Sequence, residues 1–306
     1  MTTTSRAPGR VSRIRQALQQ RLATVKQRAL VAPGIYDGYG ARLVAQAGFE
    51  AAYMTGNGVS ACLLGRPDVG LIDLTQIANH ARNVAACMDL PLICDADTGY
   101  GGIVALQRTV AEFEAAGVAA IHIEDQCSPK RCAQLPGART VLPFDEAVAK
   151  IAAAVAARND PDFMVIGRTD SAASMGLDEA IRRAQAFAQV GAGAVFVELK
   201  GHAGILADIR RIADVVPVPC VVNIDAGGAL AEVTSDQLHT HGIGVAIYPG
   251  MIRNAVGFAM REALGHLKHD GSTAQVRPRM LSSREYTDVL GLPDVEAWEQ
   301  RFDLKT

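Results

Sequence analysis

The stretch Pro91-Leu-Ile-Cys-Asp-Ala-Asp-Thr-Gly-Tyr-Gly-Gly102 joins a short apolar run to two carboxylates and a glycine-rich turn. The apolar run at 91–94 is typical of a buried strand. Because side chains alternate along a strand, Asp95 and Asp97 are expected to point the same way at its C-terminal end. Two hard oxygen ligands on one face suit Mg²⁺ or Mn²⁺. The alternative is that the pair caps a helix or holds the turn.

The same rhythm of apolar strand, loop and amphipathic helix recurs on both sides of this stretch. Predicted strands lie at 30–32, 51–54, 92–94, 119–123, 164–167, 194–197, 220–222 and 245–247. Predicted helices lie at 11–28, 37–47, 74–87, 103–116, 144–158, 177–190, 203–215, 234–241 and 251–269. Eight strand–helix units predict an α/β fold, a (β/α)₈ TIM-type barrel. The competing doubly wound sheet rarely reaches eight units, and no G-x-G-x-x-G follows the first strand.

The pattern divides the chain into three parts. Residues 1–28 are expected to form a tail and a helix, residues 29–270 the barrel, and residues 271–306 a helical extension with helices near 279–290 and 295–302. These last helices are expected to pack outside the barrel or on a neighbouring subunit. The N-terminal arginines precede no apolar segment, so they do not form a secretory signal, and a targeting role remains the alternative to a plain surface tail.

Composition excludes several classes of protein. The 306 residues include 49% hydrophobic residues, enough for a large core, and carry a formal net charge of −2. Without a basic stripe, no nucleic-acid partner is expected. No uncharged apolar run reaches the roughly 18 residues that a membrane span needs. The six cysteines have no paired spacing, which predicts reduced thiols in a cytoplasmic protein.

Polar residues follow nearly every predicted strand. In a barrel of this kind the chemistry gathers at the C-terminal strand ends. Several acids around one mouth repel one another unless a cation neutralises them, and arginines there can hold substrate carboxylates. Each residue taken singly also fits a cap, a buried ion pair or a loop bridge. The candidates are Thr55, Gly56, Asn57, Asp68, Asp95, Asp97, Glu124, Arg168, Glu198, Asn223 and Arg253.

The loop at 125–137 is long, polar and bounded by prolines, and we call it the lid because such a loop can close over a barrel mouth. Cys132 follows two cations, Lys130 and Arg131, within it. A cysteine on a lid can exchange a proton with a substrate only when the lid is closed. An incidental surface cysteine is the alternative.

These motifs resemble those of a known superfamily. The run Gly56-Asn-Gly-Val-Ser-Ala-Cys-Leu-Leu-Gly-Arg-Pro-Asp-Val-Gly70, then Asp95-Ala-Asp-Thr-Gly-Tyr-Gly101, Ile123-Glu-Asp-Gln126, Pro129-Lys-Arg-Cys132 and Arg168-Thr-Asp170, occur in order at the strand ends. They resemble the isocitrate lyase / phosphoenolpyruvate mutase superfamily over about residues 30–300. The lid cysteine makes the 2-methylisocitrate and 2,3-dimethylmalate lyase branch the most similar.

The resemblance implies a barrel that exchanges a helix between subunits of a homotetramer, and a small carboxylate substrate. It implies Mg²⁺ (or Mn²⁺) near Asp95 and Asp97, with Asp68 and Glu124 holding water ligands of the ion. The implied catalytic residues are Cys132 as the acid, Arg168 and Glu124. The implied substrate-binding residues are Thr55, Gly56, Asn57, Arg168, Glu198, Asn223 and Arg253. The implied reaction is retro-aldol cleavage of a substituted 2-hydroxy di- or tricarboxylate.

Two positions depart from the superfamily pattern. The lyases usually read Lys-(Lys/Arg)-Cys-Gly-His in the lid, whereas this chain has Ala133 and Gln134 in place of Gly-His. They also tend to read Asn-x-x-Glu-Gly-Gly, whereas this chain has Ala226 in place of the acid and Asp225 one position earlier. Because both changes fall among substrate-facing residues, we expect the leaving half of the substrate to differ.

Two other functions remain open at this point. One is a related reaction of the same superfamily, either hydrolysis or decarboxylation of oxaloacetate or chemistry at a carbon–phosphorus bond. The other is a non-catalytic barrel that binds a metabolite. The presence of Cys132 in the lid favours the lyase. The presence of all the predicted acidic site residues argues against a non-catalytic barrel.

Overall fold

Eight parallel strands close into a barrel in the computed structural model, which describes residues 9–24, 28–136, 139–199, 204–225 and 227–302. Each strand pairs with the next along the chain, and β1 closes the barrel against β8 with Leu30 opposite Val245. The predicted barrel is therefore confirmed, and the doubly wound sheet is excluded. The strands are β1 Leu30–Ile35, β2 Ala52–Met54, β3 Leu92–Asp95, β4 Ala120–Glu124, β5 Met164–Thr169, β6 Ala194–Val197, β7 Cys220–Asn223 and β8 Ile243–Tyr248.

Helices surround the barrel and extend beyond it. Those up to the sixth strand are α1 Arg10–Ala23, α2 Gly38–Gln46, α3 Gly56–Leu64, α4 Leu74–Ala86, α5 Ile103–Ala115, α6 Phe144–Ala156, α7 Ala172–Met175 and α8 Leu177–Gln189. Those that follow are α9 Ile205–Val215, α10 Ser235–Thr240, α11 Met251–Asp270, a 3₁₀ turn at Arg277–Arg279, α12 Ser283–Val289 and α13 Leu292–Arg301.

The predicted helices are found with shifts of a few residues at their ends, and two short helices were missed. No helix was predicted at 56–64, where α3 opens with Gly56-Asn-Gly58 and glycine is a weak helix former. Helix α7 is a single turn between β5 and α8. The helix predicted at 11–28 ends at Ala23. Residues 25–27 and 203, which two predictions included, lie outside the described residues.

Two apolar layers form the core. One lies between the strands and the surrounding helices and includes Phe113, Phe163 and Phe187. The other fills the inside of the barrel and extends to Leu18 of α1, which is 1% exposed. Helix α1 therefore packs its apolar stripe of Ile14, Leu18 and Leu22 against the amino ends of the strands and closes that end.

The C-terminal helices differ from the rest of the chain. None of the residues of α11, α12 or α13 is buried. Large apolar side chains on them are exposed, among them Phe258, Leu264 and Trp298. The packing of these helices on a neighbouring subunit stays a prediction. Among the described residues, no helix is both long enough and apolar enough to cross a membrane.

Candidate active site at the carboxyl end of the barrel

The inward-facing side chains change from apolar to polar at the carboxyl end of the strands. On β4, Ala120 belongs to the inner core, His122 follows it, and Glu124 lines a cavity at the mouth. On β5, Ile166 in the inner core precedes Arg168 in the mouth. Because every second residue of a strand faces the same side, the polar mouth continues the rows of the apolar core. The residues placed in this way are Thr55, Asp95, Glu124, Arg168, Glu198 and Asn223.

The strand ends and the lid enclose a cavity of about 50 Å³. Ten of the predicted site residues line it: Thr55, Asn57, Asp68, Asp95, Glu124, Cys132, Arg168, Glu198, Asn223 and Arg253. Gly56 and Asp97 are the predicted site residues that do not. A Cβ on Gly56 would lie 2.7 Å from Asp95 Oδ2, so glycine permits the helix to approach this carboxylate. Ala226, the second departure from the superfamily pattern, lies outside the described residues.

The pairing of Asp95 and Asp97 does not arise in the way the sequence suggested. Strand β3 ends at Asp95, and Asp97 lies in the following turn with φ 48°, a left-handed conformation. The backbone N–H of Asp97 donates to Asp95 Oδ1 at 3.0 Å. The expectation that strand alternation aims both carboxylates is therefore wrong. A tight turn brings the two residues together instead.

Helix α3 begins at the mouth. Thr55 is its N-cap, and the Thr55 hydroxyl accepts from the backbone N–H of Gly58 at 3.3 Å. The first N–H groups of a helix have no partner within the helix and form an anion site with the helix dipole. The backbone amides of residues 56–58, among them those of the predicted substrate-binding residues Gly56 and Asn57, therefore belong to the first turn of a helix that begins at the mouth.

Arg168 lies at the centre of a buried charge network. Its guanidinium donates to Asp170 through Nε at 2.9 Å and Nη2 at 3.2 Å, and its Nη1 lies 3.2 Å from Glu124 Oε2. Its Nη2 is 3.7 Å from Glu198 Oε2, and the group lies over the Phe196 ring. Burial raises the pKa of Glu124 well above its ordinary range, against the opposing effect of Arg168. Glu124 Oε1 is buried and has no hydrogen-bond partner in the described part of the chain.

A buried tyrosine and histidine lie one layer below the acids, and the sequence reasoning missed both. Tyr53 Oη is 2.9 Å from His122 Nε2, and His122 Nδ1 is 3.7 Å from Asp95 Oδ1. Burial lowers the pKa of His122 to about 4, so the ring is neutral at pH 7. The signal was present in the sequence, because Tyr53 and His122 are two residues before Thr55 and Glu124 on the same strand faces.

The lid is closed over the mouth. Its base is an antiparallel bridge between Gln126 and Val141, with the Cys127 N–H donating to the Thr140 carbonyl at 2.8 Å. At its tip, Lys130 Nζ lies 2.6 Å from both Asp68 Oδ1 and Asp97 Oδ1. The Cys132 N–H donates to the Asp68 carbonyl at 3.3 Å. The ion pairs of Lys130 with Asp68 and Asp97 therefore help to hold the lid against the mouth. Gly137, the last residue of the predicted lid, lies outside the described residues.

The thiol of Cys132 is held by a chain of polar contacts. The Asn57 amide donates to Cys132 Sγ at 3.3 Å, and Arg253 Nη1 donates to Asn57 Oδ1. Arg253 Nη2 donates to Gln134 Oε1 at 3.1 Å. Helix α3, the start of α11 and the lid thus meet at the thiol. The arrangement places a proton donor at the edge of the cavity, beside a cation that can hold an anion.

The donor set of the mouth fits the Mg²⁺ (or Mn²⁺) that the resemblance implies. Asp68, Asp95 and Glu124 line the cavity, and the unpartnered Glu124 Oε1 is an oxygen of the kind these hard cations bind. Among the described residues, no three His, Cys, Asp or Glu side chains converge on one point as direct ligands.

Comparison with known proteins identifies what this architecture is similar to. The family model described as phosphoenolpyruvate phosphomutase matches residues 20–268. The chain is 37% identical to 2,3-dimethylmalate lyase of Eubacterium barkeri over 286 residues, which cover 93% of this chain and 96% of that protein. It is 37% identical to 2-methylisocitrate lyase of Escherichia coli (strain K12) over 266 residues, which cover 87% and 88%. Both of these relatives are named as lyases.

Solved structures give the same architecture with other chemistries. An oxaloacetate acetylhydrolase in complex with 3,3-difluorooxalacetate has a TM-score of 0.89 at 31% identity, covering 97% of this chain and 99% of that one. A phosphonopyruvate hydrolase in complex with oxalate and Mg²⁺ has a TM-score of 0.83 at 30% identity, covering 94% and 98%. One barrel therefore carries lyase and hydrolase activities among these proteins, and a divalent metal is present in at least one of them.

Proposed function

Because the chain belongs to the phosphoenolpyruvate phosphomutase family, within the isocitrate lyase / phosphoenolpyruvate mutase superfamily, we propose that it is a carbon–carbon lyase. It cleaves a substituted 2-hydroxy di- or tricarboxylate, of the methylisocitrate or dimethylmalate type, to a 2-oxoacid and a carboxylate. The observation that carries the proposal is the lid thiol, which Asn57 holds at the edge of the acidic cavity.

Substrate binding divides the mouth into two halves. Arg253 and the first-turn amides of α3 hold the carboxylate of the departing half. Arg168, Glu198 and Asn223 contact the half that becomes the 2-oxoacid. Asp95 and Asp97 would hold Mg²⁺ (or Mn²⁺), with Asp68 and Glu124 acting through water, and the ion would supply Lewis-acid polarisation of the 2-hydroxycarboxylate.

The protein side chains then account for the movement of protons. Glu124, whose buried Oε1 has no hydrogen-bond partner among the described residues, accepts the proton of the 2-hydroxyl group. The C2 oxygen then forms the C=O bond of the 2-oxoacid as the C2–C3 bond breaks, and the electron pair of that bond passes to the departing half as an enolate. Arg253 and the α3 amides stabilise that charge, and the Cys132 thiol gives its proton to the carbon.

The assembly we propose is a homotetramer in which C-terminal helices are exchanged between subunits. The support is the exposed apolar surface of α11 and α13, where Phe258 is 62% and Trp298 60% exposed. All six cysteines are free thiols in the structure, which supports the predicted cytoplasmic location. Phe258→Asp should reduce the mass measured by light scattering, and an unchanged mass with a folded protein would count against this assembly.

The experiment is product analysis with Mg²⁺ present. The panel is 2-methylisocitrate, isocitrate, 2,3-dimethylmalate, oxaloacetate and phosphonopyruvate. Cys132→Ala is the test variant, and Cys62→Ala is its control because Cys62 is exposed on α3. We expect pyruvate or glyoxylate from a malate-type acid with the wild type and the control, and a loss of roughly 10²- to 10⁴-fold with Cys132→Ala.

Two other outcomes would contradict the proposed lyase activity. Turnover of oxaloacetate or phosphonopyruvate that survives Cys132→Ala would show a related reaction in which the lid thiol takes no part. If no acid is consumed and calorimetry finds no Mg²⁺-dependent oxoacid binding, the chain is a non-catalytic barrel.

A further inference from the structure

A second arginine lies behind Arg168, at the base of the lid. Arg139 Nη1 donates to Asp170 Oδ1 at 2.7 Å, and the Arg139 side chain is only 10% exposed. Asp170 is fully buried and also accepts from Arg168, with Oδ2 2.9 Å from Nε and Oδ1 3.2 Å from Nη2. One carboxylate oxygen is therefore shared by two guanidinium groups.

Arg139 lies where the two arms of the lid pair, and not at the lid tip. The next residue along the chain, Thr140, accepts a hydrogen bond from the Cys127 N–H at 2.8 Å, and Val141 pairs with Gln126. The tip is held separately, through the ion pairs of Lys130. The position of Arg139 is therefore set by the base of the lid.

The charge of Arg168 is contested by several protein carboxylates. Besides Asp170, Glu124 and Glu198 each have an oxygen within 4.0 Å of its guanidinium. A guanidinium surrounded in this way retains little attraction for a substrate carboxylate. Arg139 brings a second positive charge to Asp170, in an interior where water screens such interactions weakly. Arg168 then keeps more of its attraction for an anion in the mouth.

We propose that Arg139 is a positioning residue for Arg168: by sharing Asp170, it strengthens the binding of the carboxylate of the 2-oxoacid half to Arg168. The inference rests on the proposed function, in which Arg168 contacts that half of the substrate. Arg139 is not among the residues that line the cavity, so it acts through Asp170 and not by touching the substrate.

Two substitutions of Arg139 separate its charge from its hydrogen bond. Arg139→Gln removes the charge and keeps a donor, whereas Arg139→Lys keeps both the charge and a donor. Arg210→Gln is the matched control, because Arg210 is 56% exposed on α9 and pairs with Asp214 at 2.8 Å.

The first measurement is the binding of oxalate, a small unreactive dianion, by calorimetry with Mg²⁺ present. Arg139→Gln should weaken oxalate about tenfold, Arg139→Lys less than about threefold, and Arg210→Gln not at all. An unchanged affinity in Arg139→Gln, or an equal loss in Arg139→Lys, would overturn the inference. A wild type that does not bind oxalate would overturn it too.

A double variant tests whether the effect passes through Asp170. In Asp170→Asn the charge that Arg139 shares is gone, so adding Arg139→Gln should change oxalate affinity by less than about twofold. A tenfold loss that persists in this background would show that Arg139 acts independently of Asp170. A thermal scan checks that each variant is folded, and the comparison of Arg139→Gln with Arg139→Lys decides if Asp170→Asn is not.

Alkylation of Cys132 by iodoacetamide, followed by mass spectrometry, separates positioning from an effect on the lid. Without oxalate, Arg139→Gln should change the rate at Cys132 by less than about twofold, because the base and the tip of the lid have other contacts. The exposed Cys62 gives an internal reference rate. A rise of about fivefold or more at Cys132 would show that Arg139 acts by holding the lid closed, and would contradict the inference.

Steady-state kinetics give the last readout. Because the carboxylate is held equally before and during cleavage, Arg139→Gln should raise KM about tenfold and change kcat less than about threefold. A fall in kcat with an unchanged KM would contradict the inference while leaving the lyase intact. If no acid is cleaved by the wild type but Arg139→Gln weakens oxalate as expected, the proposed function fails and the role of Arg139 stands.

Discussion

The two ends of this barrel are built by the same strands and have opposite compositions. At the amino end, Leu18 of α1 packs against inward-facing apolar side chains such as Leu30 and Met164. At the carboxyl end, the same rows of side chains finish in charged groups such as Glu124 and Arg168, both nearly or fully buried. Two to four residues along a strand therefore separate the packed core from the charged mouth, as from Ile166 to Arg168 and from Ala120 to Glu124.

The two ends of the barrel contribute differently to stability and to activity. Apolar burial at the amino end stabilises the fold by roughly 25 cal/mol for each Å² removed from water. Buried charges at the carboxyl end contribute little net stability, because desolvation offsets much of their attraction. Changes in the mouth should therefore reduce activity without unfolding the protein, and changes at the base should do the reverse.

The largest effect is expected from Asp95→Asn, which removes a charge from the mouth while keeping the side-chain shape. We expect kcat/KM to fall by about 10³-fold or more, because the metal-binding charge is lost. The melting temperature should fall, because burial acts to raise the pKa of Asp95 but His122, Lys130 and Arg168 together lower it to about 2, so the folded protein favours the ionised carboxylate. The measurements are steady-state kinetics and differential scanning calorimetry. Asp89→Asn is the control, because Asp89 is exposed near the amino end of the same strand.

The next effect is expected from Leu18→Ala at the base. The cavity left by this 1% exposed leucine should lower the free energy of unfolding by about 2–5 kcal/mol. The specific activity of the folded fraction should be unchanged. Urea unfolding and assays at low temperature measure the two quantities. Leu43→Ala, at an exposed position on α2, should change neither by much. A loss of kcat in folded Leu18→Ala would show that the ends are not separable.

A smaller effect is expected from Asn57→Ala, which removes the amide between Cys132 and Arg253. The Cys132 thiol is still present in this variant, but the side chain that positions it is lost. We therefore expect kcat to fall by about 10- to 100-fold, with a smaller rise in KM. A double variant that combines Asn57→Ala with Cys132→Ala shows whether the two residues act together. If the double variant is no slower than Cys132→Ala alone, Asn57 acts through the thiol, whereas fully additive losses would show an independent role.

The barrel and most of its mouth were predictable from local patterns. Eight apolar strands alternating with amphipathic helices specify the topology, and the residues at strand ends follow from a period of two. The same period extended backward would also have identified Tyr53 and His122. Glu124 and Arg168 were found because they are the charged residues that end their strands.

The remainder depends on geometry that no local pattern encodes. The left-handed turn at Asp97, the start of α3 at Gly56 and the position of Lys130 between two aspartates arise from the closed lid and from contacts distant in sequence. The link between Gln134 and Arg253 joins residues 119 positions apart along the chain. The departure at Gln134 was visible in the sequence, but its partner was not.

The most direct test of the central claim is NMR analysis of the reaction with 2,3-dimethylmalate and Mg²⁺ in D₂O. Cleavage between C2 and C3, followed by protonation from an exchangeable thiol, should give pyruvate and propionate that carries one deuteron at C2. Cys132→Ala should slow the release of that propionate. Intact substrate with folded wild-type protein, or products formed at the same rate by Cys132→Ala, would contradict the account of the mouth as a lyase site with a lid thiol as its acid.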